Sequence, residues 1–341
     1  MSSTLRLHPN LLIPLLEQRI PEMMTKNAVP GLSAALFHES ALVWSRGYGV
    51  RNTVTQQPVT TQTIFEAASL SKPVVAYAAL HLVTRGVLLL DRPLATYLPE
   101  VQHADEPDLA PITLRHVLSH STGLPNWRPR GQPLRRQFEP GERFAYSGEG
   151  YVYLQRVIEY LTGQSLGDFM QKQILDPLGM QASGYIWRPE YVDNAADGHE
   201  SDGSPVEKGK PDDANAAYTL HTTAEDFARF MLAALHPPEA ALISNSFRDA
   251  MLMPQIEVTD PVTWGLGWGL CDDSQGKSFW HWGDNTWFTC FAAGWREPQS
   301  GLVLMTNSVF GLQACRDILA AALGADYPAF PGLMNSFYRN P

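Results

Sequence analysis

Residues 65–75 of the chain read Phe65-Glu-Ala-Ala-Ser69-Leu-Ser-Lys72-Pro-Val-Val75. Ser69 and Lys72 lie three positions apart at the start of an apolar segment, and this spacing places two side chains on one face of a helix. A hydroxyl and an amine from a single helical turn supply a nucleophile and a basic partner without a distant histidine. The stretch therefore predicts a helix that carries reactive groups.

The same four-residue pattern occurs again at Ser274-Gln-Gly-Lys277. This second copy follows Asp272 and Asp273 and lacks helical periodicity, so we interpret it as a solvent-exposed hairpin turn. A helix-capping serine beside a surface lysine would also produce the pattern at Ser69. The chemical interpretation of Ser69 therefore depends on motifs elsewhere in the chain.

Apolar residues alternate with the period of a β-strand near both ends of the sequence. Two segments near the N-terminus, 31–37 and 41–50, predict a β-hairpin. Near the C-terminus, Glu297-Pro-Gln-Ser-Gly301 predicts another hairpin turn. The strand-like segments of this second region are 265–270, 279–282, 287–295 and 301–306.

Helical periodicity dominates between these two strand regions. We expect an α+β fold, an antiparallel sheet built from both termini and flanked by helices, with an inserted all-helical domain. Residues 1–68 and 219–341 would form the sheet domain, residues 69–218 the mainly helical domain, and the active site would lie at their interface. The helical segments are 9–26, 69–85, 113–120, 147–161, 165–175, 223–235 and 309–323, and residues 187–218 predict a long loop.

The composition is that of a globular protein of 341 residues, with 44% hydrophobic residues and a formal net charge of −10. The chain has no lysine cluster, so nucleic acid and anionic membranes are not expected partners. The apolar run 11–16 is too short for a signal peptide and contains a proline, which predicts a cytoplasmic protein. The expected partner is a small-molecule ester or amide, and the sequence leaves the oligomeric state open.

The cysteines and histidines do not predict a metal site. Cys271, Cys290 and Cys315 lack metal-ligand spacing, and a reduced state is expected, although Cys271 and Cys290 would meet if their strands were neighbours. His116 and His120 have the spacing of zinc ligands on a helix but lack the glutamate of a metalloprotease. No cofactor is expected.

Two later motifs complete the pattern begun at Ser69 and Lys72. Tyr146 lies in Arg143-Phe-Ala-Tyr146-Ser147-Gly148, and His281 lies in Phe279-Trp-His281-Trp282-Gly283-Asp284. In this order the set resembles the penicillin-recognising serine hydrolases, a β-lactamase/transpeptidase-like family, in the branch of class C β-lactamases, family VIII esterases and D-aminopeptidases. The resemblance covers roughly residues 28–310.

The resemblance implies roles for these residues. Ser69 Oγ would attack a carbonyl carbon and hold the acyl group, while Lys72 and Tyr146 would share the proton transfers. Either of the two could be the base, and a tyrosine acts as a base near neutral pH only if nearby cations lower its pKa. His281 occupies the position of a lysine in many relatives, and we expect it to order the site and to hydrogen-bond Tyr146.

The resemblance also implies how substrate is held. The backbone amides of Ser69 and Asp284 would form the oxyanion hole. Gly283 would let the substrate backbone approach the strand edge. Relatives usually carry asparagine where this chain has Gly148, so efficient β-lactamase activity is not expected. The tryptophans around the motifs, Trp282 and Trp287 among them, would line an aromatic pocket.

The sequence thus predicts a serine hydrolase that forms an acyl-enzyme at Ser69, with esterase-type hydrolysis of small esters or amides. A D-amino-acid peptidase or amidase and an acyltransferase of the same family remain open alternatives. Acidic residues near the motifs, Glu142, Glu149 and Asp284, would attract the substrate amine of such a peptidase. A protein of another class, an acyl-binding sensor without turnover, is the further alternative.

Overall fold

The computed structural model describes residues 8–99, 106–236 and 242–332. The outer bounds of the predicted domains, residues 1 and 341, lie outside these ranges, and the division at residues 68 and 218 stays a prediction. In the described ranges, no helix combines the length and the apolar character that a membrane span requires.

An eight-stranded antiparallel sheet organises the molecule. Its strands are β1 (Gly31–His38), β2 (Ala41–Gly49), β7 (Ile256–Thr259), β8 (Val262–Trp264), β9 (Gly269–Asp273), β10 (Gly276–Asp284), β11 (Thr289–Trp295) and β12 (Ser300–Thr306). Their order in the sheet is β2-β1-β12-β11-β10-β9-β8-β7, so the N-terminal hairpin continues the sheet beside the last strand. Short strands pair elsewhere: β3 (Phe65–Glu66) with β6 (His221–Thr222), and β4 (Gly198–His199) with β5 (Pro205–Val206).

The central strands β11 and β12 are buried along their whole length because helices cover both faces of the sheet. Helices α1 (Pro9–Lys26) and α8 (Gly311–Leu323) pack together on one face. On the other face lie α2 (Ser71–Thr84) and α6 (Ala224–Leu235). The remaining helices are α3 (Leu114–Leu118), α4 (Gly148–Thr162), α5 (Leu166–Met170), α7 (Asn245–Met251) and α9 (Ala329–Gly332).

The helix that carries Lys72 is the central helix of the core. All residues of α2 except Thr84 are buried, which explains why its sequence is apolar on every side. A 3₁₀ turn, Ala68–Leu70, precedes it. Ser69 therefore lies in this tighter turn, whereas the sequence predicted that one helix would begin at Ser69.

The predicted fold class is confirmed, and several details differ. Helix α7 and the strands β7 and β8 were not predicted, since these segments are short and only partly buried. Ser274 and its neighbours form the turn between β9 and β10, as expected. The prediction that Cys271 and Cys290 would meet on neighbouring strands is wrong, because β10 separates their strands, and both thiols are free and buried.

Candidate active site

Ser69 and Lys72 contact each other directly. Lys72 Nζ lies 2.9 Å from Ser69 Oγ and also donates a hydrogen bond to the carbonyl oxygen of Ala217 at 3.0 Å. Ala68, the residue before Ser69, has a left-handed backbone with φ of +49°. Non-glycine residues rarely adopt this conformation, and when they do it is often at a functional site.

Burial changes the proton affinity of Lys72. The side chain is 1% exposed, and removal of the ammonium group from water lowers the pKa of Lys72 to about 7. Near neutral pH a large fraction of Lys72 is therefore an uncharged amine. An uncharged amine at hydrogen-bond distance from a hydroxyl is able to take its proton.

Tyr146 lies beside this pair, and its pKa is shifted in the opposite direction from that of Lys72. Burial raises the pKa of the Tyr146 phenol far above its ordinary value, and a hydrogen bond with Ser69 opposes the shift to a smaller extent. Lys72 Nζ lies 4.8 Å from the centre of the Tyr146 ring. Tyr146 is therefore a neutral phenol near neutral pH, and of the two candidate bases Lys72 is the one whose proton affinity suits the role.

The end of β10 lies against the turn that carries Ser69. A Cβ atom added to Gly283 would lie 2.2 Å from the carbonyl oxygen of Ala67 and 3.1 Å from Ala68 Cβ. Glycine at this position thus allows the chain's own backbone to approach, whereas the expected approach was that of the substrate backbone. This contact brings Asp284 and Ser69, the two residues of the predicted oxyanion hole, to the same edge of the sheet.

His281 does not have the expected hydrogen bond to Tyr146. It is fully buried, its Nδ1 donates to the carbonyl oxygen of Trp282 at 2.7 Å, and its Nε2 has no hydrogen-bond partner in the described part of the chain. The centres of the His281 and Tyr146 rings are 6.2 Å apart. Burial, and then the charge of Lys72, lowers the pKa of His281 to about 3, so the ring is neutral.

A cavity of about 880 Å³ opens onto Ser69, Lys72 and Tyr146. Among the other predicted site residues, Trp282, Asp284 and Trp287 line it, and Gly148, Gly283 and His281 do not. Trp127, one of the tryptophans expected near the pocket, also lines the cavity. Several lining residues were not predicted, because the sequence does not show which side chains face the cavity. These residues are Glu66, Asn126, Glu207, Gly209, Tyr218 and Val309.

Trp127 covers Gly148. A Cβ atom at Gly148 would lie 2.6 Å from the six-membered ring of Trp127. The Asn126 side-chain oxygen accepts a hydrogen bond from the Gly148 amide at 3.0 Å, which holds this loop on the start of α4. The indole therefore occupies the space where the resemblance places an asparagine side chain.

The charges around the cavity differ from those expected. Glu149 is buried and accepts a hydrogen bond from the Arg128 amide at 3.1 Å, and exposed Glu142 lies 3.5 Å from Arg143. Neither lines the cavity, whereas Asp284 does. Glu66 and Glu207 add two further carboxylates to its wall.

The described residues contain no cluster of three or more histidine, cysteine, aspartate or glutamate side chains that would hold a metal ion. His116 and His120 in particular do not act together. His116 Nδ1 accepts a hydrogen bond from the Thr113 amide at 3.2 Å, whereas His120 Nδ1 accepts one from the Ser147 amide at 3.1 Å. Each imidazole therefore fixes a different part of the backbone.

The fold and the site together define a protein of the penicillin-recognising serine hydrolase type. The profile of the Beta-lactamase family matches residues 16–326, and the chain belongs to this family. Proteins similar to this chain include penicillin-binding proteins and an esterase, which supports serine hydrolase chemistry for the family.

Several known proteins are similar to this chain. Penicillin-binding protein 4* of Bacillus subtilis (strain 168) is 25% identical over 82% of this chain and 69% of its own length. Penicillin-binding protein 4 of Amycolatopsis lactamdurans is 26% identical over 90% of this chain and 88% of its own. Esterase EstB of Burkholderia gladioli is 29% identical over 48% of this chain and 49% of its own.

Solved structures show the same fold. The octameric penicillin-binding protein homologue from Pyrococcus abyssi superposes with a TM-score of 0.80 at 26% identity, over 92% of this chain and 78% of that one. A class C β-lactamase superposes with a TM-score of 0.78 at 21% identity, over 91% of this chain and 96% of that one. At this lower identity the likeness shows the fold alone.

Proposed function

We propose that the protein is an esterase-type serine hydrolase that forms an acyl-enzyme at Ser69. One observation carries the proposal: Lys72, with a pKa lowered to about 7 by burial, lies 2.9 Å from Ser69 Oγ at the wall of an open cavity. A buried amine next to a hydroxyl is an activated nucleophile of the serine–lysine kind.

The reaction would proceed in two halves. Lys72 takes the proton of Ser69 while Oγ bonds to the ester carbonyl carbon, and the oxyanion is held by the amides of Ser69 and Asp284. The bond to the alcohol oxygen then breaks, and the alcohol leaves with the proton from Lys72, passed directly or through the Tyr146 phenol. Water repeats the sequence on the acyl-enzyme, releases the carboxylic acid and restores Ser69.

Trp127 favours small esters over β-lactams as substrates. Its indole fills the space above Gly148, where the resemblance places the asparagine that recognises the amide side chain of β-lactams. An ester of a small acid has no amide side chain that such an asparagine would need to recognise. This arrangement supports esterase-type hydrolysis as the main activity.

A D-amino-acid amidase is a second candidate, favoured by the three carboxylates of the cavity wall, Glu66, Glu207 and Asp284. Negative charge beside the nucleophile would favour a substrate that carries an ammonium group. A comparison of D-alanine and L-alanine p-nitroanilides with p-nitrophenyl acetate distinguishes the two activities. Faster turnover of the D-alanine anilide than of the acetate ester would replace the esterase assignment.

The proposal is tested by hydrolysis of a p-nitrophenyl ester panel combined with intact-protein mass spectrometry. Wild type should release p-nitrophenol catalytically and carry an acyl adduct early in the reaction. Ser69→Ala should lose both, while Ser274→Ala, in the second copy of the pattern, should keep both. Equal hydrolysis by Ser69→Ala would reject Ser69 as the nucleophile, and an adduct that never turns over would indicate an acyl-binding sensor.

A further inference from the structure

His120 holds the backbone on both sides of Tyr146. The carbonyl oxygen of His120 accepts a hydrogen bond from the Ala145 amide at 2.8 Å. Its Nδ1 accepts a second one from the Ser147 amide at 3.1 Å. Ala145 and Ser147 are the immediate neighbours of Tyr146, so a single residue fixes the chain before and after the phenol.

The His120 ring also packs on the Tyr146 ring. The two ring centres are 4.2 Å apart with an angle of 32° between the ring planes. His120 is fully buried, and its backbone has the left-handed φ of +54° that turns the chain at the end of α3. Since a non-glycine residue is strained in this conformation, the surrounding contacts must hold His120 in place.

The hydrogen bond from Ser147 defines the state of the imidazole. Because Nδ1 accepts a hydrogen bond from a backbone amide, the proton of the neutral ring is on Nε2. Burial, with a smaller effect from Lys72, keeps the pKa of His120 well below its ordinary value. Nε2 has no hydrogen-bond partner among the described residues, so the bond to Ser147 is what orients the ring.

We propose that His120 is a positioning residue that sets the distance of the Tyr146 phenol from Ser69 and Lys72. This inference rests on the proposed function, because Tyr146 matters to the rate only if the site performs acyl transfer. A displacement of about 1 Å in a catalytic group costs about 10²-fold in rate. Loss of the contacts that His120 makes should therefore slow acylation without changing how substrate binds.

Three substitutions separate the contacts of the imidazole. His120→Phe keeps an aromatic ring and removes the Nδ1 acceptor. His120→Asn removes the ring but places an amide oxygen near the position of Nδ1, where it is able to accept from Ser147. His120→Gln places its polar atoms near the position of Nε2, so it lacks both the ring and the acceptor.

The expected order of kcat for p-nitrophenyl acetate is wild type, then His120→Asn, then His120→Phe and His120→Gln. We expect His120→Phe to lose about 10²-fold in kcat, with KM changed less than about threefold. His120→Asn should recover at least about tenfold of that loss, since it restores the hydrogen bond to Ser147. Should His120→Phe not fold, the ratio of His120→Asn to His120→Gln gives the same comparison.

A double-mutant cycle tests whether His120 acts through Tyr146. The readout is the rate at which a fluorophosphonate probe labels Ser69 in a single turnover. In the Tyr146→Phe background, His120→Gln should slow labelling less than about threefold, although it slows labelling of wild type about 10²-fold. Equal slowing in both backgrounds would show that His120 does not act through the phenol.

His116→Phe is the matched control, because it also removes an Nδ1 acceptor of a backbone amide on the same segment. It should lower the melting temperature without changing kcat. Equal kcat for His120→Asn and His120→Gln, or losses that follow the melting temperature in all variants, would overturn the positioning role. Absence of Ser69 labelling in wild type would instead reject the proposed function, and the positioning role with it.

Discussion

Single residues of the site have properties that their neighbours in space impose. Lys72 is an ordinary lysine in the sequence, but its burial beside Ser69 makes it an amine with a pKa of about 7. Burial has the opposite effect on Tyr146, because it raises the pKa of the phenol. The proposed choice of Lys72 over Tyr146 as the base, which the sequence left open, therefore rests on the opposite effects of desolvation on their pKa values.

The pH dependence of the reaction should reveal Lys72. Since the amine must be deprotonated to accept the proton of Ser69, kcat/KM for p-nitrophenyl acetate should fall below pH 7 with an apparent pKa of about 7. A series of rate measurements at different pH values under single-turnover conditions measures this decrease. A profile that stays flat down to pH 5 would contradict Lys72 as the base.

Replacement of Lys72 by methionine should abolish activity and stabilise the fold. The pKa of Lys72 is lower in the folded protein than the 10.5 of a free lysine, so the unfolded chain binds more protons between pH 7 and 10.5 and stability rises with pH there. Removal of the amine should therefore add on the order of 1–3 kcal/mol to the free energy of unfolding at pH 6, after the lost hydrogen bonds are subtracted.

Urea unfolding at pH 6 and pH 9 measures this change. The gain from Lys72→Met should be smaller at pH 9, where more of the folded-state lysine is already neutral. Lys277→Met, in the second copy of the pattern, is the control and should leave stability unchanged at both pH values. If Lys72→Met is less stable than wild type at pH 6, burial of the Lys72 amine does not destabilise the fold.

Trp127 should set the size of the acyl group. Trp127→Ala removes the indole from above Gly148, so esters of bulky acids should gain about tenfold or more in kcat/KM relative to p-nitrophenyl acetate. The acetate is the internal control, since its acyl group is the smallest of the series. A uniform change for all esters would argue that Trp127 only supports the loop.

At the scale of elements, the site depends on close contacts between a strand, a turn and a helix. Strand β10 approaches the Ala67–Ser69 turn at Gly283, and β9 pairs with β10 only as far as Trp280. The last residues of β10 therefore have one edge that β9 leaves uncovered. Of these residues, Trp282 and Asp284 line the cavity that opens onto Ser69.

Gly283→Ala should disrupt this contact. Its Cβ would lie 2.2 Å from the Ala67 carbonyl oxygen, and relief of the overlap should cost about 1–3 kcal/mol of stability and at least about tenfold in kcat. Gly150→Ala in α4 is the control, because its Cβ would meet no atom closer than 3.5 Å. It should be neutral or stabilising. Melting curves and ester turnover of the two variants give the comparison.

At the scale of the whole molecule, one hydrophobic core joins the sheet to the helical segment between its two halves. The same cluster of buried side chains contains Phe37 of β1, Tyr77 of α2, Leu114 of α3 and Val303 of β12. The N-terminal hairpin lies beside the last strand of the sheet, so the two ends of the chain are needed together. The candidate active site lies where these parts meet.

This shared core predicts cooperative unfolding. The sheet and the helical segment should melt in a single calorimetric transition, because they share this cluster of buried side chains, although the sheet packs a second cluster against α1 and α8. Differential scanning calorimetry with limited proteolysis at intermediate temperature tests this. Two separated transitions, or a protease-resistant fragment near residues 69–218, would show that the predicted domains are independently stable.

The amino-acid sequence by itself determined the local chemistry and the order of the elements. The Ser69–Lys72 spacing, the motif at Tyr146 and the strand periods near both ends are short-range patterns that one segment carries alone. The fold class followed from them. The short helix α7 and the strands β7 and β8 were not predicted, since few residues of α7 and β7 are buried and β8 has only three residues.

Only the tertiary structure decided how distant residues act on one another. His120 attracted notice in the sequence for its spacing from His116, yet its contacts are with Tyr146 and its neighbours. The packing of Trp127 above Gly148 and the place of Glu66 in the cavity wall also follow from the folded chain and not from the motifs beside them. Burial and contact across long loops have no local signature, and they shift the pKa of Lys72 and shape the cavity.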